Sequence, residues 1–294
     1  MIRSQTGLGR YWFGVSTQRY SRAMSFVLLA PLIALLGLAF LLPIVRFLSL
    51  SVFDPGPTLD NFRQLWERDF YTIILLRTFR TGLVVTIGTL ILGYPVAFLM
   101  STLRGAMAGL VAAIVILPLW ISILVRTYVW TVFLGRNGII NSVAGGLGLI
   151  DQPMTLLNTE FAVWLAMIQI LLPMMILPIY SSLRGIPQEL GLAAEGMGAS
   201  PAAVFRHITL PLSLPGVAAG LVLVFIISLG YFITPLLIGG PRMMMIATLI
   251  TQQATKFLDW PLASALACVL MAITLGMVLA FNRVLRLDKV IGSG

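Results

Sequence analysis

Charged and chemically reactive side chains are scarce in this sequence. Asp, Glu, Lys and Arg make up only 10% of the 294 residues, whereas soluble domains carry about 25%. The single cysteine, Cys268, excludes an internal disulfide framework and a thiolate metal site. The single histidine, His207, excludes a histidine metal cluster or proton relay. We therefore expect this chain to hold no metal and to bind no cofactor of its own.

The chain has only two lysines, Lys256 and Lys289, and their positions exclude a Walker A nucleotide site. Neither follows a glycine-rich phosphate-binding loop, so the chain has no Walker A site. The serines of its apolar stretches have no histidine or lysine in reach to act as a base, which argues against an intramembrane hydrolase. We expect no catalytic residue. If the protein performs work that needs energy, that energy must come from another subunit or from an ion gradient.

Apolar side chains dominate instead. Hydrophobic residues form 59% of the chain and the mean hydropathy is +1.01, values typical of a protein that crosses a membrane many times. The net charge of +9 comes from basic residues dispersed among apolar runs, without the basic, aromatic-interleaved patch of a nucleic-acid site. The expected partner is the lipid bilayer and not nucleic acid.

A helix needs about 20 apolar residues to span the hydrocarbon core, and six stretches qualify. They lie at residues 24–45, 82–100, 107–133, 161–183, 212–237 and 262–285. The predicted fold class is an all-α polytopic membrane protein, with six transmembrane helices in one domain over residues 24–285 and short tails at 1–23 and 286–294. The first stretch is longer than the apolar part of a signal peptide and no small-residue cleavage site follows it, so we expect it to be retained.

Prolines are frequent in these stretches and are expected to kink their helices, because each removes a backbone hydrogen bond. They are Pro95, Pro118, Pro173 and Pro178. A kink is tolerated in a membrane where a cavity or a neighbouring helix satisfies the freed carbonyl. Such helices either line a path or only shape the packing.

The basic residues predict the orientation. Four arginines and no acid precede the first stretch, which places that tail in the cytoplasm by the positive-inside rule. Six spans return the C-terminal tail to the same side. Ten basic residues then lie inside and eight outside, whereas seven of the ten acids lie outside. In this orientation the loop at residues 184–211 faces the cytoplasm.

That loop is the one polar, patterned segment of the chain. Its apolar residues recur at helical spacing and predict a small apolar stripe: Leu190, Ala193, Ala194 and Met197. Glu189 and Glu195 lie on the other face of the same short helix, which we expect to begin at Pro187.

Two helix signals follow within a few residues. Gly198 is expected to end the first helix in a left-handed conformation. Ser200 and Pro201 then form the N-cap and first turn of a second helix, which we expect to end at Leu210 and Pro211.

This segment resembles the cytoplasmic coupling loop of type I ABC importer permeases. The family pattern is Glu-Ala-Ala, three residues, Gly, nine residues and Ile-x-Leu-Pro. Six residues match it in register: Ala193, Ala194, Gly198, Ile208, Leu210 and Pro211. Leu192 stands where the family has its Glu, so Glu189 or Glu195 would have to supply a docking charge. The resemblance implies that these positions, with Ser200 and Pro201, couple the chain to an ATPase.

Two further segments, residues 117–141 and 234–266, are similar to those of spermidine/putrescine permeases and their relatives. The resemblance implies the type I ABC importer permease (MetI-like) fold and one half of a permease heterodimer in the bacterial inner membrane. The other implied partners are two ATPase subunits, which bind ATP and Mg, and a periplasmic substrate-binding protein. The implied function is import of a polyamine, such as spermidine or putrescine, by alternating access.

Two alternatives remain open. Relatives in the same branch carry opines, aminoalkylphosphonates or other small solutes. In a different class, the chain would be a secondary carrier or a membrane scaffold. Ion-coupled carriers hold ionisable groups deep in their spans, and Arg126 is the only clear one here, which argues against a carrier.

Five residues are candidates for the translocation path: Trp120, Arg126, Tyr128, Tyr231 and Asp259. An arginine at a helix centre costs about 2.5–3.5 kcal/mol on insertion scales, so Arg126 either lines a wet path or reaches the interface by snorkelling. Trp120 and Tyr128 offer faces for an amine cation or act as interfacial anchors. Asp259 attracts a cation or caps a helix. For a cationic solute, Arg126 should be paired with an acid or a carbonyl.

Overall fold

The protein was analysed as a computed structural model that describes residues 22–54 and 56–285. Within these residues the chain is helical and forms no strand. The helices are α1 (Arg22–Leu36), α2 (Leu42–Phe53), α3 (Asp60–Glu67), α4 (Asp69–Thr102), α5 (Gly105–Ile116), α6 (Ile123–Leu134), α7 (Ile139–Gly146), α8 (Glu160–Arg184), α9 (Gln188–Gly196), α10 (Pro201–Val204), α11 (Leu210–Leu229), α12 (Ile246–Gln252) and α13 (Trp260–Leu285). The predicted tails lie outside the described residues, except for the first residues of α1.

The described residues as far as Phe47 form one compact unit and those from Leu48 to Leu285 form another. In the first unit, α1 continues through a π turn at Gly37–Leu41 into α2. This first predicted span is confirmed as a helix that is apolar and long enough to cross a membrane, over Phe26–Phe53. None of its most apolar window is buried within the protein, as expected of a helix that meets lipid.

Four further long helices of the second unit match the other continuous spans. They cover Asp69–Thr102, Glu160–Arg184, Pro201–Leu229 and Trp260–Phe281. Helix α4 begins at Asp69, well before the predicted start at residue 82, and its added turns carry charged side chains, one of which is matched by α8. Arg80 pairs with Glu160 at 3.0 Å and its guanidinium lies over the ring of Trp164 at 5.3 Å.

The third predicted span, residues 107–133, is wrong as a single helix. The chain runs from Gly105 to Trp120, breaks, and resumes from Ile123 to Gly146 at an angle of 102°. Pro118 lies in a 3-10 turn at the end of the first part, and Ile121 and Ser122 are extended. Because proline lacks an N–H, it favours the break in the hydrogen-bond ladder. The chain thus has five helices able to cross a membrane among its described residues, or six if the bent pair is one broken span.

Two predicted boundaries around the fifth span are also wrong. The second loop helix does not end at Leu210 and Pro211 but continues through a π turn at Phe205–Thr209 into α11. In this turn the Leu210 N–H bonds to the Phe205 carbonyl, five residues earlier. The next residue, Pro211, has no N–H to donate, and the wider π turn allows the helix to continue past it. At the other end α11 stops at Leu229 and not at residue 237. Beyond it the chain returns to a helical conformation as a π turn at Pro235–Gly239.

Helix α8 forms the core of the second unit, since it packs along both α4 and α11. Its fully buried side chains include Met167, Met175 and Ile179. Glycines allow the backbone of α11 to approach that of α8 closely. A Cβ on Gly216 of α11 would lie 2.5 Å from the carbonyl oxygen of Pro178 in α8.

Hydroxyl groups in this core form hydrogen bonds within one helix or between two helices. The hydroxyl of Thr86 in α4 donates to the Gly82 carbonyl at 2.7 Å, and the hydroxyl of Tyr94 meets that of Ser213 in α11 at 3.0 Å. Such bonds remove the cost of placing hydroxyls away from water.

The contact at Gly216 predicts a difference between two Gly-to-Ala substitutions. Gly216→Ala should lower the stability of the chain by about 1–3 kcal/mol, because the new methyl group overlaps α8 backbone. Gly276→Ala is the matched control, since a Cβ there meets nothing within 4 Å and alanine favours helix by up to about 1 kcal/mol. Unfolding in detergent, followed by tryptophan fluorescence, measures both. Equal stability of the two variants would contradict the tight α8–α11 packing.

Candidate functional site

The predicted loop helices form with the predicted caps. Helix α9 begins after Pro187 and ends where the N–H of Met197 bonds to the Ala193 carbonyl at 3.1 Å. Gly198 has a φ of +89°, the left-handed stop expected from the sequence. The next N–H, that of Ala199, returns to the Ala194 carbonyl at 3.0 Å and closes the turn.

The second helix of the loop is capped by Ser200. Its hydroxyl accepts a hydrogen bond from the Ala203 N–H at 3.3 Å, and Pro201 occupies the first turn. His207 bonds to the carbonyl of Ala203 through Nδ1, at 3.0 Å, within the helix. The continuation of this helix through the π turn into α11 joins the loop directly to a membrane-spanning helix.

The predicted apolar stripe divides between two environments. Ala194 is buried against the rest of the protein, whereas Leu190, Ala193 and Met197 are exposed, Met197 by 83%. Leu192 adds to the uncovered apolar surface, with 66% of its side chain exposed. We call Leu190, Ala193 and Met197 the exposed loop face; Leu192 lies on the other side of α9, because residues two apart on a helix do not share a face. Short helices rarely leave so much apolar surface uncovered unless it meets a partner.

The remaining predicted loop residues lie around this face. Glu189 and Glu195 are exposed and form no ion pair within the described part of the chain. Ile208 is half-buried and lines a cavity beside α9, while Leu210 and Pro211 begin α11 with exposed side chains.

Arg126 turns its guanidinium into the helical bundle. Its Nη1 donates to the Ile170 carbonyl of α8 at 3.4 Å, and its Nε is buried without a hydrogen-bond partner among the described residues. The side chain lines a cavity of about 360 Å³ between α6 and α8. The guanidinium is therefore held against α8, and the lining of a path stays a prediction.

The other predicted path residues do not join that cavity. Trp120 and Tyr128 are exposed by 86% and 67%. Tyr231 is buried and lines a neighbouring cavity with Ile123 and Phe232. Asp259 caps α13, because its carboxylate accepts the N–H of Leu262 at 3.1 Å.

Gln169 is the residue that the sequence reading missed. It lines the Arg126 cavity, and its Oε1 accepts the indole N–H of Trp130 at 3.2 Å. The available signal was an amide in the middle of an apolar stretch, a polar group that a bilayer tolerates only with a partner.

Solved structures with the same fold belong to ABC transporters. A bacterial ABC transporter involved in the import of the acidic polysaccharide alginate superimposes with a TM-score of 0.72, at 20% identity over 90% of this chain and 95% of that one. The MetNI methionine ABC transporter gives a TM-score of 0.57, at 19% identity over 73% of this chain and 94% of that one. The fold is therefore that of an ABC importer permease.

The family follows from sequence. The profile of the binding-protein-dependent transport system inner membrane component matches residues 25–286, and the chain belongs to this family, a multi-pass component of the inner membrane.

The chain is similar over most of its length to several named proteins. The spermidine/putrescine transport system permease protein PotB of Escherichia coli strain K12 is 34% identical over 230 residues, 78% of this chain and 83% of that protein. PotB of Haemophilus influenzae is 33% identical over 231 residues, 78% of this chain and 80% of that protein. The inner membrane ABC transporter permease protein YdcU of Escherichia coli strain K12 is 34% identical over 229 residues, 73% of this chain and 72% of that protein.

The loop cap predicts opposite effects at two nearby glycines. Gly198→Ala should destabilise the turn by about 1–2 kcal/mol, because its φ of +89° is costly for a residue with a Cβ. Gly196→Ala, inside α9 with nothing within 4 Å of a new Cβ, should strengthen the helix by up to about 1 kcal/mol. Hydrogen exchange of the Met197 and Ala199 amides measures the two effects. Faster exchange in both variants, or in neither, would contradict the capped turn.

Proposed function

We propose that this chain is the permease subunit that carries a polyamine, such as spermidine or putrescine, across the inner membrane by alternating access. The observation that supports the solute most directly is the similarity to proteins named as spermidine/putrescine permeases, at 33–34% identity over 78% of the chain. The alternatives within the same class are an opine, an aminoalkylphosphonate or another small solute.

The exposed loop face supports coupling to an ATPase. It is a small uncovered apolar surface on a rigidly capped helix, continuous with a membrane-spanning helix through the π turn. A helix of this kind fits a hydrophobic groove. In the proposed assembly two ATPase subunits hold ATP and Mg and do the hydrolysis, and this chain transmits the motion without catalysis of its own.

The proposed orientation places this loop and both termini in the cytoplasm. The four arginines before the first span support it through the positive-inside rule, and it brings the exposed loop face to the side where ATP is found. The opposite side would then meet a periplasmic substrate-binding protein.

The second permease subunit has a suitable surface to meet. Helix α6 and the turn before it expose Leu117, Trp120, Leu124 and Tyr128, and Leu124 and Tyr128 lie on the face of α6 away from Arg126. Aromatic side chains of this kind are frequent at subunit interfaces. In a heterodimer this face would pair with the matching helices of the partner and complete the path between them.

Arg126 is the residue that we place in the path. A free arginine repels a polyamine, but here the guanidinium donates to the Ile170 carbonyl, and the rest of the cavity wall is apolar apart from Trp130 and Gln169. A bond between α6 and α8 that forms in one state and opens in another suits a gate in alternating access.

The coupling proposal predicts the result of matched substitutions. Met197→Glu should reduce recovery of ATPase subunits with the tagged chain by tenfold or more, because a charge replaces an apolar contact at the docking surface. Leu147→Glu is the control, since Leu147 is also an exposed apolar C-cap residue, 69% exposed, but follows α7. Purification from the native membrane in mild detergent, with mass spectrometry and an ATPase assay, measures recovery. If the unaltered chain brings down neither an ATPase nor a second permease, a secondary carrier or a scaffold is favoured instead.

The solute and the gate are tested by uptake in cells that depend on this chain. Saturable uptake of labelled spermidine or putrescine is expected, and uptake of only an opine or aminoalkylphosphonate would replace the polyamine proposal. Arg126→Leu should lower uptake about ten- to hundredfold, because a charged hydrogen bond worth about 1.5–3 kcal/mol is lost, while recovery of ATPase subunits is unchanged. Arg136→Gln, at an exposed position after α6, should leave uptake intact. Equal uptake by both variants would remove Arg126 from the path.

A further inference from the structure

A polar cavity of about 380 Å³ lies beside the coupling loop, where the last turns of α4 and α8 meet the start of α9. It differs from the other cavities near the helices, whose walls are almost entirely apolar. Arg104, Arg184, Gln188 and Thr209 contribute its most polar side chains. Its volume is ample for a phosphate group and the first atoms attached to it.

The charge of this cavity is positive on every wall that carries charge. Arg104 comes from the end of α4 and Arg184 from the last turn of α8, and no Asp or Glu lines the cavity. Neither arginine forms an ion pair within the described part of the chain. Arg104 is held only by Gln188, to whose Oε1 its Nη2 donates at 3.4 Å. Two guanidinium groups without a carboxylate are suited to an anion with several oxygens, because each can donate a pair of parallel hydrogen bonds.

The backbone adds to the same preference. Helix α9 begins at Gln188, on the cavity wall, and no side chain caps its N-terminus. Uncapped N–H groups at a helix start attract a negative charge. Thr209 also lines the cavity and carries a further hydroxyl donor. Two arginines, a helix start and a hydroxyl residue from separate elements thus line the same cavity.

The position of the cavity identifies the source of the anion. Arg104 lies two residues after α4 and Arg184 is the last residue of α8, and both helices are apolar and long enough to cross a membrane. The ends of such helices are expected at the level of lipid head groups. Basic pockets between helices at this level suit anionic phospholipids.

We propose that this cavity binds a phosphate group, and that the phosphate is that of an anionic phospholipid, held by Arg104, Arg184 and the start of α9. A bound head group would tie the coupling helix to the ends of α4 and α8, so the lipid would stiffen the element that meets the ATPase. The proposal of a lipid site rests on the position at a membrane surface, and only its link to coupling rests on the proposed function.

The test uses the full chain in nanodiscs that contain phosphatidylglycerol and phosphatidylcholine. Native mass spectrometry should show phosphatidylglycerol retained by the chain, and the double substitution Arg104→Gln with Arg184→Gln should lower that retention at least tenfold. The control is Arg68→Gln with Arg136→Gln, which removes the same charge from exposed positions away from the cavity and should retain the lipid. Equal retention by the two double variants overturns the proposal.

Two further experiments use the unaltered chain and separate a lipid phosphate from the phosphate of a soluble compound. A photoreactive phosphatidylglycerol should label residues 98–104 and 183–191 of the unaltered chain, and labelling elsewhere alone overturns the site. Inorganic phosphate is titrated into the chain in pure phosphatidylcholine nanodiscs by calorimetry. Saturable binding there, together with failure of the lipid label, overturns the lipid source and assigns a soluble phosphate compound. These experiments contain no ATPase and no polyamine, so their failure is distinct from failure of the proposed function.

Discussion

The close packing of α8 between α4 and α11 is the constraint on which the rest of the second unit depends. In a membrane, helices gain little from burying apolar surface against one another, so association relies on contact distance and internal hydrogen bonds. Gly216 and Gly220 allow the α11 backbone to approach Pro178 and Met175. The same helix α8 carries the acceptor for Arg126 at its middle and Arg184 at its end, so one packed helix fixes both the cavity beside Arg126 and the base of the loop at residues 184–211.

The long helices could be predicted because composition alone decides them. Stretches as apolar as residues 161–183 have no alternative to helix in a bilayer, where every backbone group needs an internal partner. The break between Trp120 and Ile123 could not be predicted in this way. Hydropathy averages over a window that is longer than the break, and the residues at the turn are as apolar as their neighbours. Pro118 indicated a kink, but its size depends on tertiary contacts.

The loop at residues 184–211 and the cavity beside Arg126 show the same contrast on a smaller scale. Gly198, Ser200 and Pro201 act within their own turns, so sequence spacing was enough to predict the caps that the structure contains. The pairing of Gln169 with Trp130 and of Arg126 with Ile170 joins residues about forty positions apart. No local pattern carries that information, because it depends on the angle at which α6 leaves the break and meets α8.

Leu192 bears on how the proposed coupling would work. It replaces the acidic residue of the family pattern, and its exposed side chain adds a second apolar contact on the side of α9 away from Leu190 and Met197. Burial of apolar surface contributes about 25 cal/mol per Å² and is insensitive to ionic strength, whereas an exposed ion pair contributes about 0–1 kcal/mol and is screened by salt. Leucine at this position therefore replaces a weak, salt-dependent ion pair with an apolar contact that contributes more binding free energy. Docking of this loop would be governed by shape and burial, with Glu189 and Glu195 affecting the rate of encounter more than its strength.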